Sequence, residues 1–133
     1  METKQVIVVR YTYPDGKGGT MSMRKGKLIA QACHASMAFL SHRVFEKEGE
    51  GDPYFSTAEE LWFANGYAKV CCRVESEDEL MEIYHKAKES GLEAHLITDS
   101  GKTEFKEPTK TCLAIGPDFV DKINPITGHL KLL

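Results

Sequence analysis

Residues Gln5 to Tyr11 read Gln-Val-Ile-Val-Val-Arg-Tyr, β-branched and apolar without a break from Val6 to Val9. Such a run suits a central strand covered on both faces, because a strand with one wet face would alternate. The turn-forming Pro14-Asp15-Gly16-Lys17-Gly18-Gly19 ends it. From about Gly26 to Glu46, Leu28, Ile29, Ala32, Cys33, Ser36, Phe39 and Leu40 return to one broad side of a helix. A covered strand followed by a long helix commits the chain to crossover connections, with helices on both faces of one sheet.

The remaining segments repeat the alternation. Glu48 to Pro53 is an acidic loop punctuated by Gly and Pro, after which Ser56 or Thr57 with Glu59 or Glu60 forms a capping box for a short helix through Phe63. Gly66 stops that helix, and Ala68–Val74 is a second strand. Ser76 with an acidic first turn opens a further helix, whose inner stripe is Leu80, Ile83, Tyr84, Ala87 and Lys88. Gly91 ends it in a left-handed cap. Glu93–Thr98 is a third strand, and Thr109–Ile115 a fourth, stopped by Gly116-Pro117. A helical turn near Asp118 to Ile123 precedes the tail. With 133 residues and neither repeat nor linker, the chain is expected to form one domain over 1–133.

A hydrophobic share of 41% and a charged share of 28% exclude disorder. No apolar run reaches the ~18 residues of a membrane span, and the opening Met1-Glu2-Thr3-Lys4-Gln5 lacks the layout of a signal peptide. A cytoplasmic protein is expected. Cys33, Cys71, Cys72 and Cys112 have neither metal-ligand nor disulfide-scaffold spacing and read as small buried apolar residues; adjacent Cys71 and Cys72 would face opposite sides of a strand. No metal site and no cofactor are expected.

The net charge of −3 hides an uneven distribution. Lys/Arg outnumber Asp/Glu eight to three in residues 1–47, fall behind four to twelve in 48–98, and balance at five each in 99–133. Lys17, Arg24, Lys25 and Lys27 form one cationic group, and Lys102, Lys106 and Lys110 another. A basic patch on an acidic body fits a phosphate-bearing partner; two solvated clusters are the plainer alternative.

In sheets of this class ligands collect where loops leave the carboxyl ends of the strands. Two junctions qualify. At the start of the long helix, Lys27, Gln31 and His34 recur at spacings of four and three, hence on one stripe. That stripe either lines a polar site or is the wet face of an amphipathic helix. After the third strand stands Asp99, followed by Ser100-Gly101-Lys102-Thr103. The carboxylate either forms a turn with its own backbone or serves as a general base. Thr109 and Thr111, two apart in a strand, would share a face. Walker and nucleophile-elbow patterns are absent from the sequence.

Together these segments resemble the peptidyl-tRNA hydrolase 2 family. The likeness rests on Val-Ile-Val-Val-Arg, on Met23-Arg24-Lys25-Gly26-Lys27-Leu28-Ile29-Ala30-Gln31-Ala32-Cys33-His34-Ala35, and on Trp62, Gly66 and Lys69-Val70. It continues through Gly91-Leu92, Asp99-Ser100-Gly101-Lys102-Thr103-Glu104 and Lys110 to Pro117, and ends at Ile126-Thr127-Gly128-His129-Leu130-Lys131-Leu132-Leu133. The resemblance implies a three-layer α/β/α sandwich around a mixed, roughly four-stranded sheet, usually homodimeric. It implies hydrolysis of the ester between a peptide and the 3′-terminal ribose of tRNA, without a metal, on the acceptor end of peptidyl-tRNA. Carried over by position, the catalytic set is Lys27, His34, Asp99, Thr103 and Thr111; Gln31, Arg24, Lys25, Lys102 and Lys110 would bind substrate. Asp99 and His34 would handle the water's proton, Lys27 would face the oxyanion or a terminal phosphate, and the two threonines would orient the water or the ribose.

The segment Tyr11–Ser22 is longer than the family's usual connection, either a flap over the site or a surface insertion. Tyr67 and Glu107-Pro108-Thr109 also depart from the pattern. Two other functions compete: a catalytically idle relative used as an RNA- or protein-interaction module, and a hydrolase acting on another small ester or on D-aminoacyl-tRNA.

Overall fold

A computed structural model describes residues 1–45, 54–101 and 105–133. The acidic loop read at Glu48–Pro53, and Lys102 and Thr103, lie outside the described residues. In chain order the elements are β1 (Thr3–Arg10), β2 (Tyr13–Pro14), β3 (Thr20–Met21), α1 (Lys25–Val44), α2 (Thr57–Ala64) and β4 (Lys69–Val74). They continue with α3 (Glu77–Glu89), β5 (Ala94–Asp99), β6 (Thr109–Phe119), α4 (Val120–Thr127) and β7 (Lys131–Leu132).

The main sheet has the order β5-β6-β1-β4-β7. β1 pairs parallel with β4 and antiparallel with β6, as a mixed sheet requires. It has five strands rather than four, because the tail adds β7 to the edge of β4, with Cys72 opposite Leu132. β6 likewise does not stop at Gly116-Pro117 but runs through that cis peptide to Phe119.

Side-chain parity divides the core into two. Val6 and Val8 face α3 and α4 with Leu80, Ile83, Leu113, Ile115 and Ile123, while Ile7 and Val9 face α1 with Ala35, Ile97, Cys112 and Ala114. This is the expected three-layer sandwich, and Val6–Val9 is at most 3% exposed. Cys72 belongs to the first cluster and Cys71 packs on the second, on opposite faces as read.

Both predicted serine caps form: Ser56 and Glu59 make a reciprocal capping box, and Ser76 Oγ accepts from Glu79 N. Gly91 takes φ +77° at the end of α3. Three inner assignments need correction. Ile29 is 61% exposed and Cys33 is exposed, because α1 turns Leu28, Ala32 and Ala35 to the sheet and Phe39 to Trp62 and Phe63 of α2 instead. Lys88 on α3 is exposed beside buried Ala87. Part of the Tyr11–Ser22 segment is a β2–β3 hairpin, anchored by Tyr13, which is 2% exposed and packs its ring 4.6 Å from that of Phe105.

Candidate active site

On β5 the alternation that turns Ile97 toward α1 turns Asp99 the same way at the strand's carboxyl end. Lys27 lies in the first turn of α1, which opens over that end. Its Nζ stands 3.2 Å from Asp99 Oδ1, with the two side chains only 7% and 6% exposed. The other carboxylate oxygen, Oδ2, accepts from Gly101 N at 2.9 Å. Lys27 also rests 4.6 Å from the centroid of the Phe105 ring. Its ammonium is sealed from solvent, yet among the described residues no acceptor is aligned to take a hydrogen bond from it. Asp99 is therefore more than a local turn-former, and the start of the helix stripe is not a wet face.

A β-bulge completes the arrangement. Ile97 and Thr98 of β5 oppose Cys112 and Lys110 of β6, so Thr111 is the extra residue. Simple parity would send Thr111 to the α3/α4 side with Leu113 and Ile115. The bulge instead turns it to α1, where its hydroxyl donates to Gln31 Oε1 at 2.5 Å and is fully buried. Cys112, on the same side, donates its thiol to Gln31 O at 3.3 Å. Burial pushes the Cys112 thiol up to about 12, against the lowering effect of the Thr111 hydroxyl. With Oε1 occupied, Gln31 Nε2 makes no hydrogen bond among the described residues. Thr109 lies opposite Asp99 in the β5–β6 register, but its hydroxyl does not join this group: it donates to Glu107 O at 2.8 Å.

The other candidates are dispersed. His34 is exposed and lines a shallow concavity of about 270 Å³ with Met37, Ala38, Ser41, His42 and His95; it contacts neither Lys27 nor Asp99 among the described residues. α1 passes over β5 so that Lys27 meets Asp99 near one end, while the His42 and His95 rings approach to 5.9 Å near the other. Arg24 and Lys25 are exposed at the amino end of α1, and Lys110 is half-buried on β6. Among the described residues no three His, Cys, Asp or Glu side chains are grouped to hold a metal, and no helix is long and apolar enough to cross a membrane.

α1 also breaks the ordinary rules for a helix start. Arg24 gives no side-chain cap, and the first turn holds no acid but two lysines. Cations at that end oppose the helix dipole by ~0.3–1 kcal/mol each. This start sets α1 apart from α2 and α3, which carry serine caps and acidic first turns. Gln31 was legible as a substrate-binding candidate on the helix stripe, but its link to Thr111 arises from the bulge.

A mixed-sheet α/β/α sandwich with a buried ammonium–carboxylate pair at its strand ends is an α/β domain of the class in which ligands gather at that edge. The chain matches the family Peptidyl-tRNA hydrolase PTH2 over residues 3–133. It is 42% identical over 130 residues to the Peptidyl-tRNA hydrolase of Methanothermobacter thermautotrophicus, covering 98% of this chain and 99% of the relative. It is 40% identical over 131 residues to that of Methanocaldococcus jannaschii, at 98% and 99% coverage. The identity is 42% over 129 residues for that of Aeropyrum pernix, at 97% and 94%. The chain belongs to the peptidyl-tRNA hydrolase PTH2 family.

Proposed function

We propose that this protein hydrolyses the ester between the peptide and the 3′-terminal ribose of peptidyl-tRNA, releasing free tRNA, without a metal. One observation carries the reading: the buried Lys27–Asp99 pair, 3.2 Å apart, lies beside Gln31 and Thr111 in a chain that matches the family from end to end.

Ester hydrolysis requires an activated water and a fixed site for charge on the carbonyl oxygen. Asp99, oriented by Gly101 N and Lys27, takes the proton from water. Lys27 brings a desolvated charge whose donors no described acceptor satisfies, and it stabilises the developing oxyanion. Gln31 Nε2 is a second donor to that oxygen, and Thr111 acts as a positioning residue by holding Oε1. Thr103 orients the water or the ribose, as the resemblance implies. Asp99 then gives that proton to the departing ribose oxygen, and His34, exposed and without a protein partner among the described residues, meets the substrate directly.

The acceptor end of tRNA docks at the uncapped start of α1, where free N–H groups and the Arg24 and Lys25 cations suit phosphate. Lys102 and Lys110 also bind the substrate, as the resemblance implies. The enzyme works in the cytoplasm as a homodimer; exposed Ile29, Met37 and Val44 on one side of α1 support a second copy. The direct test is release of tRNA from N-acetyl-aminoacyl-tRNA and from free aminoacyl-tRNA. Turnover of the first substrate is expected, and no turnover of either would overturn the reading.

A further inference from the structure

A cleft of about 540 Å³ separates the β2–β3 hairpin from the segment 105–109. Pro14 and Met21 line one wall, Phe105 and Pro108 the other, and Arg10 lies at its base. A continuous series of contacts connects it to the catalytic pair. Lys27 sits over the Phe105 ring at 4.6 Å, Phe105 packs on Tyr13 at 4.6 Å, and the Arg10 guanidinium lies 4.3 Å from the centre of the Tyr13 ring. The cleft therefore begins where the scissile ester would lie.

Arg10 is unusual for a cation in such a place. Its side chain is 10% exposed, its Nε donates to Thr12 O at 3.1 Å, and Glu77 comes no nearer to Nη1 than 4.0 Å. Neither Nη group makes a hydrogen bond among the described residues, and Glu77 on the same cleft pairs with Nη1 only at 4.0 Å, so the guanidinium has donors to offer a ligand there.

The charge of the walls selects the ligand. Arg10 and Lys106 are outnumbered by Asp15, Glu77 and Glu107, a poor setting for a polyanion. Apolar walls around a few donors suit an extended peptide, whose carbonyls accept and whose side chains rest on proline and methionine. We propose that this cleft holds the peptide part of the substrate, with the Nη groups of Arg10 donating to a main-chain carbonyl. The β2–β3 hairpin is then a length-selective wall. This rests on the proposed hydrolase activity and assigns its acyl side, opposite in charge to the helix end given to tRNA.

The test compares N-acetyl-aminoacyl-tRNA, too short to fill the cleft, with an N-acetyl-tetrapeptidyl-tRNA of the same tRNA. Arg10→Gln is expected to raise KM for the longer substrate by about tenfold or more while leaving the shorter one within about twofold. Pro14→Trp, at an exposed wall position, narrows the cleft without touching a buried group and is expected to act in the same direction. Binding of deacylated tRNA should be unchanged in both variants. Equal effects on the two substrates, or weakened binding of deacylated tRNA (which would make the cleft a tRNA contact), would overturn the proposal. Failure of the unmodified enzyme on both substrates would instead remove the hydrolase reading itself.

Discussion

Lys27 Nζ and Asp99 Oδ1 approach to 3.2 Å with both side chains more than nine-tenths buried, although one opens a helix and the other closes a strand. An ammonium and a carboxylate held together away from water are costly to separate, since loss of one partner leaves the other uncompensated at about 3–5 kcal/mol. The pair therefore also fastens α1 to the end of β5, beyond the role proposed for it.

Asp99→Asn is expected to lower kcat by at least about a hundredfold on N-acetyl-aminoacyl-tRNA. Because the partner charge stays buried, the variant should also melt several degrees lower. A stability control must accompany the assay, and near-normal kcat in a folded variant would refute the assignment of Asp99.

Thr111→Val keeps the shape of the side chain and removes the donor to Gln31 Oε1. Leaving that oxygen without a partner costs about 1–3 kcal/mol and frees the amide to rotate. The expected result is a fall in kcat with KM little changed, and a comparable fall in Gln31→Ala. Additive losses in the double variant would argue that the two residues act separately.

Arg24→Ala and Lys25→Ala should raise KM for peptidyl-tRNA and leave kcat nearly intact. Each should also flatten the plot of log kcat/KM against log salt, its slope changing by up to about 0.9 for every phosphate the variant no longer neutralises. A steep salt response identical in variant and wild type would place the tRNA elsewhere.

Acid stability is expected to depend on Glu93. Burial alone would raise its carboxyl, but the His95 hydrogen bond and the Arg43 guanidinium outweigh this and hold it below the usual 4.5. A lowered folded-state value means the contribution is present above about pH 4.5 and is lost as the pH falls through and below it. Glu93→Gln should therefore show a shallower decline of Tm between about pH 5 and pH 3 than the wild type. Parallel curves for the two proteins would dismiss the contribution.

Thiol labelling separates the cysteines. Cys33 is exposed on α1, whereas Cys112 is fully buried with its thiol pushed up to about 12. In the native state at about pH 8 Cys33 should react fast, and Cys112 only on unfolding. Mass spectrometry of the alkylated peptides reads this directly, and early modification of Cys112 would show that β6 opens readily.

The order of elements, the serine caps of α2 and α3, and the covered strand Val6–Val9 were legible in the chain, because helix period, strand apolarity and cap chemistry are properties of a few neighbouring residues. So were Lys27 and Asp99 as candidates, since each stands at a loop that leaves the carboxyl end of a strand, where ligands gather in this fold class. Their meeting was not. Nor was the orientation of Thr111, whose parity pointed to the wrong face until pairing with β5 displaced it by one residue and joined it to Gln31, 80 positions away. The tail became a fifth strand, and Tyr13 anchored the hairpin on Phe105, for the same reason. Register, bulges and docking depend on which segments lie side by side, and that is fixed only when the whole core closes.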